Sequence, residues 1–216
     1  MRLSLAILLI LFGLRFPAGA EPLRVSAAED AVTLRMADGR IVLLDGLLAP
    51  NPDDDGGRSA ADKIAAAALA RMIESAVGQT ARLTPLLEVA DRWNRIPADV
   101  HLQGSGVWLQ ERMLQEGLAR IGPCPLGDPG RLKLLRDAEA SARTARRGLW
   151  RIGVYQVRDA VQPIKARGFV LVAGMPFESG GGRNVRYLNF DKDWRQDFTL
   201  IPFCIDQNPW AHCRHP

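Results

Sequence analysis

The residues of this chain best suited to holding a phosphate or a nucleobase sit on one short turn. Asp91-Arg92-Trp93-Asn94-Arg95 places two guanidiniums and an indole between two apolar runs. Guanidiniums match phosphate oxygens, and an aromatic beside cations offers a stacking face for a base. Arg95 also has a simpler use, as ion-pair partner of Asp91, Asp99 or Glu139, and one cation without a metal is a weak phosphate site, so the structural role is favoured. Packing beneath the turn is likewise the simpler fate of Trp93. Carboxylates that could hold a hard cation are few: Asp30, Asp45 and the run Asp53-Asp54-Asp55. Asp45 lies three residues before Leu48, so on a regular strand it points to the opposite face. The aspartate run reads better as a solvated loop than as a calcium loop. A second basic and aromatic group, Arg183, Arg186, Tyr187, Trp194 and Arg195, suits single strands, although a half-finished sheet with a mixed face explains it more simply. Cys204, His212, Cys213 and His215 crowd the far end, in a spacing that matches no standard zinc pattern.

The elements that must position these residues follow from periodicity. Arg24-Val25-Ser26 and Val32 to Met36 read as strands, and Asp38-Gly39 is a hairpin signal before the apolar run Ile41 to Pro50. Asn51 to Gly57 is a loop. Ser59 is a helix N-cap, and Ile64, Ala68, Met72 and Ala76 mark one helical face up to Gly78. Thr80 to Val89 and Ile96 to Leu102 are two further strands flanking the Asp91 turn. Val107 to Ile121 and Pro129 to Trp150 are expected to be helices, the last with Leu132, Leu135, Ala138, Ala142, Ala145 and Leu149 on its inner face. Beyond residue 168, Gly168 to Gly174, Arg186 to Phe190 and Asp197 to Ile201 read as strands around a glycine-rich loop at Glu178 to Arg183. Three strands are too few to close a barrel.

Arg2, the apolar run Leu3 to Leu14 and the small residues Ala18-Gly19-Ala20 have the form of an export signal, too short for a membrane span. The expected location is therefore the periplasm or beyond, with no membrane contact once the signal is removed. From residue 21 to 150 the charges nearly cancel, 17 basic against 18 acidic; residues 151 to 216 carry nine against six. Global charge is thus weak support for a polyanion partner. The three cysteines, Cys124, Cys204 and Cys213, allow one disulfide in an exported protein, with the pairing open. The change of character after Ile201 is what a truncated or frameshifted terminus would produce.

The Asp91 to Arg95 turn, together with Ala138-Glu139 and Arg146-Arg147-Gly148-Leu149-Trp150, resembles landmarks of the thermonuclease, or staphylococcal-nuclease-like, family. The resemblance covers about Val25 to Trp150. It implies an α+β fold: a small five-stranded antiparallel OB-fold barrel with three helices. Here a partial C-terminal β module would follow, itself similar to a module found after the nuclease domain in some bacterial relatives. The expected organisation is a signal at 1–20, the thermonuclease-like domain at 21–152, a linker at 153–167, the β module at 168–203 and an irregular tail at 204–216.

Family members hydrolyse phosphodiesters with calcium. The Asp-Gly-Asp-Thr metal motif falls on Asp30-Ala31-Val32-Thr33, where the essential second acid is Val32. The Arg-Leu-x-Gly-x-Asp-x-Pro-Glu motif falls on Leu43 to Asn51, so the arginine becomes Leu43, the metal carboxylate Leu48 and the water-positioning glutamate Asn51. Only the second phosphate-binding arginine is kept, as Arg95. Asp30 lies two residues from Val32, about 7 Å along a strand, too far to replace a ligand. No catalytic set is intact, and neither calcium nor another cofactor is expected. The sequence therefore points away from an enzyme and toward a nucleic-acid-binding or scaffold module, with Arg92, Trp93, Arg95, Arg186, Tyr187, Trp194 and Arg195 as candidate contacts for a single strand. An active nuclease with a rebuilt site and a protein-interaction module are the alternatives.

Overall fold

Alternation of apolar and polar residues builds the first sheet. In the computed structural model, which describes residues 22–55, 59–122, 125–162, 170–181, 186–193 and 199–200, β1 is Leu23–Ala28, β2 Thr33–Met36 and β3 Ile41–Leu44. Val25, Leu34, Met36, Val42 and Leu44 turn inward and are fully or almost fully buried. The β2–β3 hairpin turns at Asp38-Gly39, where Gly39 takes φ 89° and Asp38 Oδ1 accepts the Arg40 N–H. The apolar run that follows is not one strand. It breaks at Asp45-Gly46, with Gly46 at φ 83°, and resumes as β4, Leu47–Leu48.

A single turn of 3-10 helix at Pro52–Asp55 leads into α1, Ser59–Ala76, whose Ala68, Met72 and Ala76 close one side of the core. β5, Thr80–Pro85, and β6, Arg95–Leu102, then form a hairpin around the Asp91 turn. The five long strands pair in the ring β1-β2-β3-β6-β5, and β5 returns to β1 through Leu23↔Ala81 and Arg24↔Thr80. The expected barrel is therefore present, with one correction to its description as antiparallel: the β3–β6 seam is parallel. The chain leaves β3, crosses through α1 and comes back on the β5–β6 hairpin, which delivers β6 alongside β3 in the same direction.

The helical back is shorter than the periodicity implied. α2 spans only Leu109–Gln115, because the chain reverses at Gly117 (φ 68°) and continues as β7, Arg120–Ile121, paired with β4. α3 spans Pro129–Thr144 and stops before the Gly148-Leu149-Trp150 motif, which forms a separate 3-10 turn. Asp128 caps α3 by accepting the Arg131 N–H at 2.9 Å. Its buried face is Arg131, Leu135, Ala138, Glu139 and Ala142, so Leu132 and Ala145 do not belong to it. A second small core gathers Ala142, Leu149, Trp150 and Tyr155, with Leu171 packed against it.

The stretch read as a linker contains a strand. β8, Val157–Asp159, pairs in parallel with β9, Leu171–Ala173. The glycine-rich segment read as a loop supplies β10, Glu178–Gly181, which with β11, Arg186–Asn189, and β12, Thr199–Leu200, makes a three-stranded sheet. The signal at 1–20, all three cysteines, Arg183, Trp194, Arg195, His212 and His215 lie outside the described residues.

Candidate functional site

Arg95 opens β6, where the chain leaves the Asp91 turn. Asp91 holds that turn from within. Its Oδ1 accepts the N–H groups of Trp93 and Arg95, each at 2.9 Å. Its Oδ2 takes the Arg95 guanidinium through Nε at 2.9 Å and Nη2 at 2.8 Å. Burial acts to raise the Asp91 carboxyl, but those bonds from Arg95 and Trp93 outweigh it and hold it below its ordinary 3.8. Asn94 takes a left-handed φ of 59°, a conformation that asparagine tolerates better than most residues. Trp93 is 56% exposed rather than packed under the turn. The Arg92 guanidinium carbon lies 3.9 Å from the centre of its ring and that of Arg95 4.8 Å. The result is an exposed indole with two cations against it, one of them already bound to a carboxylate.

The positions that would carry metal chemistry are differently used. Val32 is buried in the main apolar core, and its N–H donates to Asp30 Oδ1 at 2.7 Å. That bond occupies the exposed Asp30 carboxylate in a local turn, not in a site. Leu43 pairs with Thr33 on one side and Pro97 on the other, partly buried against the same core. Leu48 lies opposite Arg120 across the β4–β7 pair, which puts a leucine and an arginine side by side. Burial lowers the Arg120 guanidinium, against the opposing charges of Asp54, Tyr155 and Glu139. Exposed Asn51 accepts the Asp53 N–H on Oδ1, and its own N–H donates to Asp54 Oδ2.

Asp54 is further engaged. The fully buried Tyr155 donates its hydroxyl to Asp54 Oδ2 at 2.6 Å, so the loop is bolted to the helical back. Asp45 does not face this region at all. It is buried with Arg131, whose Nη1 lies 3.3 Å from Asp45 Oδ2 and whose Nη2 lies 2.8 Å from Asp99 Oδ1. Burial pushes the Asp45 carboxyl up despite the N–H it accepts from Leu126 and the nearby charge of Arg131. Among the described residues no three His, Cys, Asp or Glu side chains are grouped so as to hold a metal ion.

The structure thus groups Arg92, Trp93 and Arg95, while Arg186 and the half-exposed Tyr187 lie on β11 in a separate sheet. Sequence reasoning missed Arg120, Arg131 and Tyr155. The available signal for the first was a lone cation in the apolar run Leu118 to Ile121; nothing marked the other two.

Comparison with known proteins agrees with this frame. No curated protein matches the chain. Residues 46–152 match the family described as staphylococcal nuclease homologue, a span that includes Leu48, Asn51 and Arg95 but not Val32 or Leu43. With its barrel, its three helices and the Asp91 turn in place, the chain carries a thermonuclease-like domain, matched over residues 46–152 by the staphylococcal nuclease homologue family.

Proposed function

We propose that this is an exported thermonuclease-like domain that binds single-stranded nucleic acid without calcium-dependent phosphodiester cleavage. What supports the reading is that Val32, where the family resemblance would put a metal carboxylate, is packed in the apolar core, and that Leu48, at another such position, stands opposite Arg120. A hard cation needs several oxygens, and Val32 and Leu48 present hydrocarbon instead. The neighbouring carboxylates are committed, Asp30 to the Val32 N–H and Asp54 to Asn51 and Tyr155. What remains competent is the exposed turn, where Trp93 offers a base-stacking face and Arg92 a phosphate contact. Export rests on Arg2, the Leu3 to Leu14 run and Ala18-Gly19-Ala20.

The test combines cleavage and binding. Purified protein with calcium should leave single-stranded DNA and RNA intact while binding them with an affinity that falls steeply with salt, because phosphate contacts release counterions. Calcium-dependent cleavage that Arg95→Ala abolishes would overturn the reading. So would oligonucleotide affinity that is absent at low salt. N-terminal sequencing of protein recovered from the periplasm should begin at Glu21.

A further inference from the structure

We infer a second binding site, for a nucleoside 5′-phosphate, in the groove where β5 and β6 meet the segment leading into α2. It is independent of the Asp91 turn. Arg95 begins β6 and His101 stands six residues further on, about 20 Å away along the strand.

The groove is built around a fixed aromatic platform. Trp108 stacks on His101 with ring planes 8° apart and centroids 5.9 Å apart. Two things hold that geometry. A backbone bridge pairs His101 with Trp108. The indole Nε1 donates to Asp99 Oδ1 at 3.2 Å, and Asp99 is itself gripped by the buried Arg131 guanidinium. A stacking surface locked in this way loses little freedom when a base settles on it.

Cations stand on either side of the platform. Arg82 pairs directly with His101 across the β5–β6 ladder, so the two side chains share the outer face of the sheet. Arg82 is exposed, and among the described residues no hydrogen bond or ion pair engages its guanidinium. On the other side, Arg112 lines the same hollow as Trp108 and Gln115. Two clefts meet at His101 and Gly106, one of about 280 Å³ beside Arg82 and one of about 390 Å³ beside Arg112. Gly106, at φ 67°, leaves open space where a side chain would stand. A flat ring over His101 with a phosphate reaching Arg82 satisfies both features, and neither free phosphate nor an uncharged ring does so alone.

The test is titration calorimetry on the full chain at low salt with adenosine 5′-monophosphate, ribose 5-phosphate and inorganic phosphate. The nucleotide should bind saturably and at least about tenfold more tightly than either control. Arg82→Gln and His101→Ala, both at the surface of the barrel, should each weaken the nucleotide about tenfold, whereas Arg95→Ala leaves it within about twofold. Equal affinity for inorganic phosphate would overturn the inference, as would nucleotide binding indifferent to Arg82→Gln and His101→Ala. Competition by a 5′-phosphorylated tetrathymidylate in the Arg95→Ala protein assigns the ligand as a strand end; lack of competition assigns it as the free nucleotide. Loss of oligonucleotide binding in Arg95→Ala with nucleotide binding intact separates this site from the Asp91 turn.

Discussion

Arg131 carries a guanidinium into a place where only 7% of its side chain meets solvent, and it does so to neutralise two carboxylates at once. Asp45 arrives on the turn after β3 and Asp99 on β6, and Arg131 also donates to the carbonyls of Asp45 and Leu126. Removing one member of a buried charge group leaves the others uncompensated, at about 3–5 kcal/mol. Arg131→Met should therefore lower the unfolding free energy measured by urea titration by that much; a loss below about 1 kcal/mol would show that water reaches the pair. Asp91 gives a second residue-scale prediction, one that depends on pH. Its carboxyl is held below 3.8 in the folded protein, so the unfolded chain binds more protons in that window. Its contribution is full above pH ~4 and disappears as pH falls through the folded value. The stability gap between wild type and Asp91→Asn, read by urea midpoints, should be constant from pH 7 to 5 and shrink below about 3.8.

At the scale of elements, two glycines decide how the helices end. Gly117 and Gly148 face each other so closely that a Cβ on Gly117 would meet the Arg147 carbonyl oxygen at 2.3 Å, and one on Gly148 the Gly117 oxygen at 2.1 Å. The Leu149 N–H then bonds the Gly117 carbonyl at 2.8 Å, joining the end of α2 to the end of α3. Gly117→Ala combines that clash with a left-handed φ of 68° and should cost about 2 kcal/mol or more in thermal or urea unfolding. Arg146 takes a φ of 48° where α3 terminates, a position that favours glycine. Arg146→Gly should stabilise by about 0.5–1 kcal/mol, and a loss of stability would mean that the arginine side chain makes a contact stronger than the backbone strain. These ends also show what the sequence could convey. The hairpin at Asp38-Gly39, the barrel strands and the Asp91 turn were legible because local chemistry alone specifies them. The early stop of α2 was not, because Gly117 acts through a neighbour about thirty residues away. Arg131 was hidden because a charged residue on an inward face is explained only by Asp45 and Asp99, distant in sequence.

Across the whole molecule, the hydrogen bond between Tyr155 and Asp54 spans 101 positions and ties the loop after β4 to the segment that continues into the C-terminal strands. Leu171 of β9 packs on the same small core as Tyr155, so β9 is anchored to the core whose tyrosine holds the Pro52–Asp55 turn. The exposed turn was legible in the sequence, from Arg92, Trp93 and Arg95, but this bolt was not, because one tyrosine in a presumed linker carries no local signal. It makes the proposed loss of calcium chemistry testable as linkage. A folded-state site of ~1 mM affinity would add about 1.4 kcal/mol at ~10 mM calcium, a shift of several degrees in melting temperature. Wild type should show no shift over that range. Tyr155→Phe removes one bond to Asp54 and should cost about 0.5–1.5 kcal/mol without creating a calcium response, since Val32 and Leu48 still supply no oxygens. A saturable, calcium-dependent rise in the melting temperature of the Tyr155→Phe protein alone would identify Asp54 as a ligand held in reserve. A rise in wild type would show that a metal site exists and that the aliphatic substitutions did not remove it.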